Sequence, residues 1–542
     1  MSEHAQSSGS DPTRALSARI ESEAFAVEGL HLTGLRGREA ISSLFRFELD
    51  LLTAPLEVGG PTGVPKGCVP GAPLRLVLST ESDGPVRWVH GVIDEVRDSL
   101  EVVHGRLAFS ITLVPVFAAL ELVRTQEVHV ALSVPEVLSE KLALHRLSFV
   151  TRWSTEYAKR ALIVQYAESD LAFVSRLTEH LGIAYFFASD DAGCRAIFTD
   201  SAEGFDSVGQ IAFTDRSGSA AGEGRILSLR SVSRRVTSAV LVQDQNYRTP
   251  LVELTGAADV EGGAGGGVVE YATHHRTPEE GAHLARMRAE AVRNQQHFYE
   301  GTSGCARLTA GHRVNVIGHP TLPDPTELLV VEVEHEGSWP LMDVAANSAV
   351  YTNRFRAVPA AHGYRPPERT PRPRIHGIVT GIVRAPEGVA DGSLPFLDAL
   401  GRYLVELHFD TFRVPNKALP SHPIRMAQPT QGPNHGMHFP LRPGAEVIVA
   451  FLDGDPDRPV IVGAVPNAIA PSPVNHQNPN HSVIRTADGG VLIELVDLPF
   501  DGQFEDAPGV MPHYARNAPS TGGDGGLKMP AQLPTDRGLR RS

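Results

Sequence analysis

Three aspartates stand at alternate positions in the run Asp453-Gly-Asp455-Pro-Asp457-Arg458-Pro459. That spacing copies positions 1, 3 and 5 of a calcium-binding loop. The remainder is wrong for the ion, because Arg458 sits where the loop needs glycine and Ala464 where it needs a bidentate glutamate. The run reads instead as a stiff turn, with prolines fixing φ and aspartates accepting local backbone hydrogen bonds. Histidines gather at His422, His435 and His438, and again at His476 and His481, but none of these spacings matches a metal site. His274 and His275 precede a helix and read as structural. The glycine run at 262–267 lacks the strand–turn–helix setting of a dinucleotide fingerprint, and neither a phosphate loop, a G-x-S-x-G elbow nor an H-E-x-x-H pair occurs. Glu279 and Glu280 are expected to favour a helix start through the macrodipole. The sequence assigns no catalytic, cofactor-binding or metal-binding residue, and the chain is expected to work without a cofactor and not as an enzyme.

The elements that carry these residues follow from periodicity. In "FRFELDL", Phe45, Phe47, Leu49 and Leu51 alternate with polar residues, the signature of a half-buried strand. Similar runs fill residues 23 to about 130 at short spacing, which suggests a barrel or sandwich. Three helices punctuate the strands. Ser133 and Glu136 have capping-box spacing ahead of Val137, Leu138 and Leu142. A second helix is expected over 170–181, closed by Gly182 in the left-handed region. A third begins at Thr277-Pro-Glu-Glu280 and is expected to reach about Tyr299, with Phe298 on its apolar face. Residues 255–267 read as a flexible loop. The stretch "RPPERTPRPR" at 365–374 reads as an extended proline-rich linker and hence a domain boundary. Residues 375–470 offer five short strands and no convincing helix, which fits a small OB-type barrel.

Composition narrows the function classes. The 542-residue chain carries a net charge of −14, which argues against nucleic acid or an anionic membrane as the main partner. Lysine is scarce, five against 44 arginines, which we read as compositional bias. Cys68, Cys194 and Cys305 are far apart, form neither a zinc pattern nor a disulfide framework, and are expected to be reduced. Residues 1–22 are polar, lack an apolar signal core and are expected to be disordered; no run of about 18 apolar residues could span a membrane. Residues 498–542, with 13 Gly or Pro among 45, are also expected to be disordered. Trp88, Trp153 and Trp339 are expected to be exposed and are too scattered for a base-stacking platform.

The stretch "LRPGAEVIVAFLDGDPDRPVIVGAV" at 441–465 is unusual. Val447, Val449 and Phe451 share one strand face; Ile448, Ala450 and Leu452 share the other. A barrel strand ordinarily shows one face to water, so two apolar faces imply a second burial surface. With no helix nearby to cover it, contact with another chain or domain is expected.

Residues 422–468, with the R-x-A-Q-P start, the F-P-x-R-x-G-x-E-V strand and the F-L-x-G-D-P-D-R-P-x-I-x-G hairpin, resemble the VgrG spike proteins of type VI secretion systems. "LFRFELDLL" near the start and "IVQYAESDLAFVSRLTEHLGIAYFF" at 163–187 look like that family's hub. "NHSVIRTADGGVLIELVD" at 480–497 is similar to its passage into a β-needle. The resemblance implies a mainly β chain with a few helices (α+β). It would comprise a phage-hub-like region of two barrel modules over 23–364, the 365–374 linker, an OB barrel over 375–470 and the start of a needle over 471–497. It also implies a homotrimer that sits on an Hcp-type tube ring, meets baseplate proteins, takes a PAAR-repeat tip protein or an effector or adaptor, and transiently contacts a target membrane. Such a protein is made in the bacterial cytoplasm and leaves by sheath contraction without a signal peptide. Family needles usually run on through many short repeats, whereas here the pattern stops near Asp497. The spike of an extracellular contractile particle or a phage tail shares the same motifs, as would a spike whose tail carries or recruits an effector.

Overall fold

The computed structural model describes residues 16–56, 63–80, 84–214, 224–341, 349–386, 394–411, 422–487 and 490–497. The expected disorder of 1–15 and 498–542 lies outside the described residues. Ser17–Glu21, expected to be disordered, is a strand that pairs antiparallel with Pro73–Thr80. Its short alternation places Ile20 in the core, and that burial outweighs the polar composition around it.

One long sheet organises the N-terminal body. From its first edge it runs through Ser17–Glu21, Pro73–Thr80, Gly84–Val103, Arg106–Val114, Arg46–Leu52 and His31–Ala40. His31–Ala40 then pairs with Thr326–Ser338, which leads on to Val350–Pro359, His297–Ser303 and Ile226–Ser233. The alternation read at Phe47, Leu49 and Leu51 is real, since all three are buried in one cluster with Leu76 and Ile111. A second cluster, around Val314, Val330 and Phe355, fills the other half of the sheet. Chain segments far apart in sequence therefore share one sheet.

Among the described residues four helices dress this body. Helix α1 is the single turn Ala119–Leu122. Helix α2, Val134–Leu144, opens with the predicted capping box: Glu136 N donates to Ser133 Oγ (3.4 Å) and Ser133 N donates to Glu136 Oε2 (2.7 Å). Helix α3, Asp170–His180, is followed by Gly182 at φ +64°. Helix α4, Pro278–Gln296, is capped by Thr277 and stops three residues earlier than its period suggested. From His297 the chain is strand, hydrogen-bonded on both sides, and Phe298 is fully buried beneath the guanidinium of Arg356. Two ladders of sheet hydrogen bonds override the helical pattern there.

The 255–267 loop is also shorter than expected. Leu254–Asp259 pairs with Ala239–Asp244, which in turn pairs with Gly267–Tyr271. This small sheet packs on α4, and a Cβ at Gly256 would lie 2.2 Å from the backbone of Gly281. The glycines thus allow close helix–sheet approach rather than slack.

The C-terminal barrel has the strand order Leu404–Leu407, Val379–Arg384, Glu446–Phe451, Pro459–Ala464, Arg425–Met426. Mutual bonds between Tyr403 and Ile424 (2.9 and 2.7 Å) close it. Its core contains Val447, Val449, Phe451 and Tyr403, and also Val128, Leu162 and Val164 from the body. The body ribbon Arg124–Leu132/Arg160–Ser169 therefore packs into the same core as the barrel. On the barrel's outer face Ile448 and Ala450 are half-buried, while Leu452 and Val462 are exposed. Beyond it a last hairpin, His481–Arg485 with Leu492–Val496, pairs only with itself among the described residues.

Candidate functional site

The aspartate turn is the point where barrel meets body. Leu452–Gly454 forms a tight turn with Asp453 at φ +57° and Gly454 at φ +73°. Asp457 N donates to Asp455 Oδ1 (3.0 Å), closing the local bond expected of such a turn. The three carboxylates then diverge. Asp453 faces Arg374 at 3.5 Å, Asp455 meets His274 Nε2 at 2.7 Å, and Asp457 accepts from the backbone N of Val164 at 2.6 Å. Arg458 reaches back 2.7 Å to Asp244, itself buried in the body. The run docks one lobe on another, which is why its spacing resembles a cation loop without the loop's remaining ligands.

His274, Asp455 and Asp457 bring three ligand atoms within 4.8 Å of one another. The setting disfavours a cation. Arg160 and Arg176 act on Asp457, Arg458 acts on Asp455, and His274 is already engaged by Asp455. Burial raises the Asp455 carboxyl, but the hydrogen bond and charge of His274 and the charge of Arg458 outweigh it and hold it well below the usual range. Burial, followed by the charge of Asp455, pushes Asp457 the other way.

The proline-rich segment at 365–374 is extended but firmly held. Glu179, at the end of α3, accepts from the backbone N of Arg369 and of Thr370 (both 2.8 Å) and from Thr370 Oγ1 (2.9 Å). Glu368 meets His180 Nδ1 at 3.0 Å, is bound closely by Arg288 and lies 3.4 Å from Arg372. Burial raises Glu368, yet His180 and the two guanidiniums prevail and bring it down to about 2. Burial also pushes His180 well below its ordinary value, with Glu368 opposing and the arginines assisting. Arg365 pairs with Glu290 at 2.8 Å. The segment is a strap buckled to α3 and α4, so its proline-rich composition marks extension and not freedom.

Beside the turn a cleft of about 480 Å³ opens between body and barrel. His422 lies in its wall, where Arg248 donates to its Nε2 at 2.6 Å. Burial and then the charges of Arg248 and Arg402 lower His422 to about 4. His438 is engaged elsewhere, by Tyr403 Oη at 3.1 Å and Gln428 at 2.8 Å, and His435 meets the carbonyl of Pro433 at 3.1 Å. His481 pairs with Glu494 at 2.6 Å within the last hairpin, and His476 is exposed. The histidines that cluster in sequence are thus separated in space. His275 is buried and meets Thr273 Oγ1 at 2.9 Å. Glu280 N donates to Thr277 Oγ1 at 3.2 Å, while its carboxylate accepts from Arg276 N at 2.7 Å.

Trp88, Trp153 and Trp339 are half-buried, not exposed, and Trp339 Nε1 donates to the carbonyl of Leu16 at 2.6 Å. The three cysteines are free, and burial pushes Cys68 and Cys194 up to about 11. The groups that sequence reasoning missed are His180, Arg288 and Asp244, single polar or charged residues on helices and a strand, and Glu368 in the extended strap. Only burial of charge sets them apart, and a helical or alternating pattern does not show it.

Comparison with known proteins follows the same division. Residues 38–340, more than half of the chain, match the phage tail baseplate hub (GPD) family, and residues 408–465 match the type VI secretion system and phage-baseplate injector OB domain. The chain is 30% identical over 485 residues to the type VI secretion system spike protein VgrG5 of Pseudomonas aeruginosa, covering 85% of this chain and 59% of that protein. It is 26% identical to the actin cross-linking toxin VgrG1 of Vibrio cholerae, covering 87% of this chain and 44% of that one. The chain therefore spans about half the length of these curated relatives. Among solved structures, an Escherichia coli type VI secretion component, described as similar to the T4 tail proteins gp27 and gp5, superposes with a TM-score of 0.59 at 22% identity over 83% of this chain and all of that one. The Francisella PdpA–VgrG complex superposes with a TM-score of 0.58 at 9% identity, over 90% of this chain and 84% of that one.

Proposed function

This chain belongs to the phage tail baseplate hub (GPD) family, and we propose on that premise that it is a structural spike of the VgrG kind, as in type VI secretion systems. Three copies would form a hub ring seated on an Hcp-type tube ring and held by baseplate proteins. The barrels and final hairpins would wind together as the tip, with a PAAR-repeat protein or an effector or adaptor at its end. Sheath contraction would then drive the trimer from the bacterial cytoplasm through a target membrane. The chain would serve this role mechanically, with no catalytic centre of its own.

One observation supports this reading above the others. Among the described residues the hairpin 481–496 pairs only with itself, and Ile484, Ile493 and Leu495 share one exposed face. A lone two-stranded hairpin is marginal in water, and three copies around an axis supply the missing cover. Light scattering on the purified chain tests it, with an expected mass near three times 58.3 kDa. A stable monomer at micromolar concentration would overturn the trimer. Electron microscopy of that species should show a ring with a central projection.

A further inference from the structure

The cleft between body and barrel is lined by five arginines and three aspartates. Asp244 is spent on Arg458 and Asp453 faces Arg374, outside the cleft lining. Asp457 takes its hydrogen bond from Val164. Four guanidiniums remain, those of Arg160, Arg248, Arg276 and Arg425, and none has a carboxylate within 4 Å among the described residues. Arg248 donates to His422, Arg276 to the carbonyl of Lys159 (2.6 Å), and Arg425 lies 4.1 Å over the ring of Tyr247. Among the described residues the Arg160 side chain makes no hydrogen bond or ion pair. An unpaired arginine on open surface needs no explanation. Three of these four are half-buried, and all converge on one concavity in a chain whose overall charge is −14.

Like charges gathered in a partly desolvated cleft repel one another. Arg160 registers this: burial lowers its guanidinium, Asp457 opposes, and Arg372, Arg176 and Arg276 lower it further, to about 10. An oxyanion relieves the repulsion and offers the acceptors that planar guanidinium donors match in pairs. With its Nε2 lone pair taken by Arg248, neutral His422 carries its proton on Nδ1 and offers the cleft no further acceptor. The cleft volume exceeds that of a single phosphate and lies in the range of small-molecule sites.

We propose that this cleft binds a small, multiply charged oxyanion, a phosphate-bearing or polycarboxylate molecule, held by Arg160, Arg248 and Arg276 from the body and Arg425 from the barrel. The ligand bridges the two lobes and stabilises their joint. The proposal stands independently of the spike reading, since it needs only one chain.

The test is calorimetric titration of the full chain at constant ionic strength with inorganic pyrophosphate and, separately, with citrate. Thermal unfolding is followed alongside. A saturable site of one equivalent per chain and a rise in melting temperature are expected. The double variant Arg160→Gln/Arg425→Gln should bind about tenfold more weakly or worse, while Arg36→Gln on the distant sheet surface should not differ from the parent. Binding of pyrophosphate alone assigns the phosphate source, and binding of citrate alone the carboxylate source. If the double variant does not fold, Arg248→Gln at the exposed mouth replaces it, with a weakening of several-fold expected. Absence of binding to both anions at millimolar concentration, or equal binding by the folded variants, overturns the site.

Discussion

The strap at 365–374 and the hairpin at 481–496 are both short segments with little core of their own, yet they are held in opposite ways. The strap is tied by charge. Glu179 and Glu368 satisfy two backbone amides, one hydroxyl, one imidazole and two guanidiniums, all within a single chain. The hairpin keeps Leu495 at 58% exposure with Ile484 and Ile493 beside it, and among the described residues nothing covers that face. Buried ion pairs are exacting in geometry and fix one arrangement of the two lobes. Apolar faces are indifferent to partner geometry and are dried by whatever packs on them. The joint is completed in one chain, and the hairpin's apolar face stays open among the described residues.

The barrel lies between these extremes and gives the largest expected effect. Its strand Glu446–Phe451 has an inner face, Val447, Val449 and Phe451, buried in a core shared with the body, and an outer face that is only half-covered. Phe451→Asp places a carboxylate where an aromatic ring was buried. The expected loss is about 5 kcal/mol or more of barrel stability, read by denaturant unfolding, with loss of any trimer in light scattering. An unaffected variant would show that the strand's inner face is misassigned. Ala450→Asp on the outer face should leave the monomer's unfolding much less changed.

Next is the strap. Glu368→Ala removes the carboxylate shared by His180, Arg288 and Arg372, leaving their positive charges together. Because Glu368 is partly exposed, the expected cost is about 3 kcal/mol, toward the low end for breaking a buried pair. Limited proteolysis should then cut within 365–374 while the body stays intact. Resistance equal to the parent would mean that Glu179 alone holds the strap.

Acid should act on the same joint, more weakly. His180 and His422 are held below their ordinary value, so the folded state resists a proton that the unfolded state accepts. Their contribution is present above about pH 6.5 and is lost as pH falls, for His422 toward about 4. Glu368, held near 2, contributes above the ordinary glutamate range and loses that contribution below it. Asp457 runs the other way, since its raised value makes protonation favourable in the folded state. With one opposing group, the net expected loss between neutral pH and pH 4 is about 2 kcal/mol at the joint. Unfolding followed by strap proteolysis at each pH checks it, and a joint that grows stronger on acidification would reverse the assignment.

How much of this could be read from sequence follows the same physical division. Alternation exposed Phe47, Leu49 and Leu51, capping spacing exposed Ser133 and Glu136, and the left-handed stop exposed Gly182, because each of these is local. The two apolar faces at 446–452 were equally legible. The strap was not. "RPPERTPRPR" has the composition of a free linker, and distant partners, among them Glu179, His180, Arg288 and Glu290, hold it in place. Helix α4 ended early at Gln296 because strands distant in sequence, Ile226–Ser233 and Val350–Pro359, pair with His297–Ser303. The aspartate turn showed its rigidity in sequence but not its target, since His274, Val164 and Asp244 are brought to it only by the fold.

The smallest expected effect on the chain's own unfolding separates the two modes most sharply. Ile493→Ser with Leu495→Ser removes apolar surface that is already wet in a single copy, so monomer stability should change within about 0.5 kcal/mol. Association is another matter. If three copies bury these side chains, each trimer loses six apolar contacts, at about 25 cal/mol for every Å² of apolar surface they would have covered. The concentration at which the assembly dissociates, measured by sedimentation, should therefore rise steeply while the unfolding curve of the separated chain stays in place. A variant that associates as the parent does would mean that this face is dried by something other than sister copies, or not at all. Glu368→Ala should give the converse result, weakening the joint within each chain and leaving the contacts between hairpins as they were.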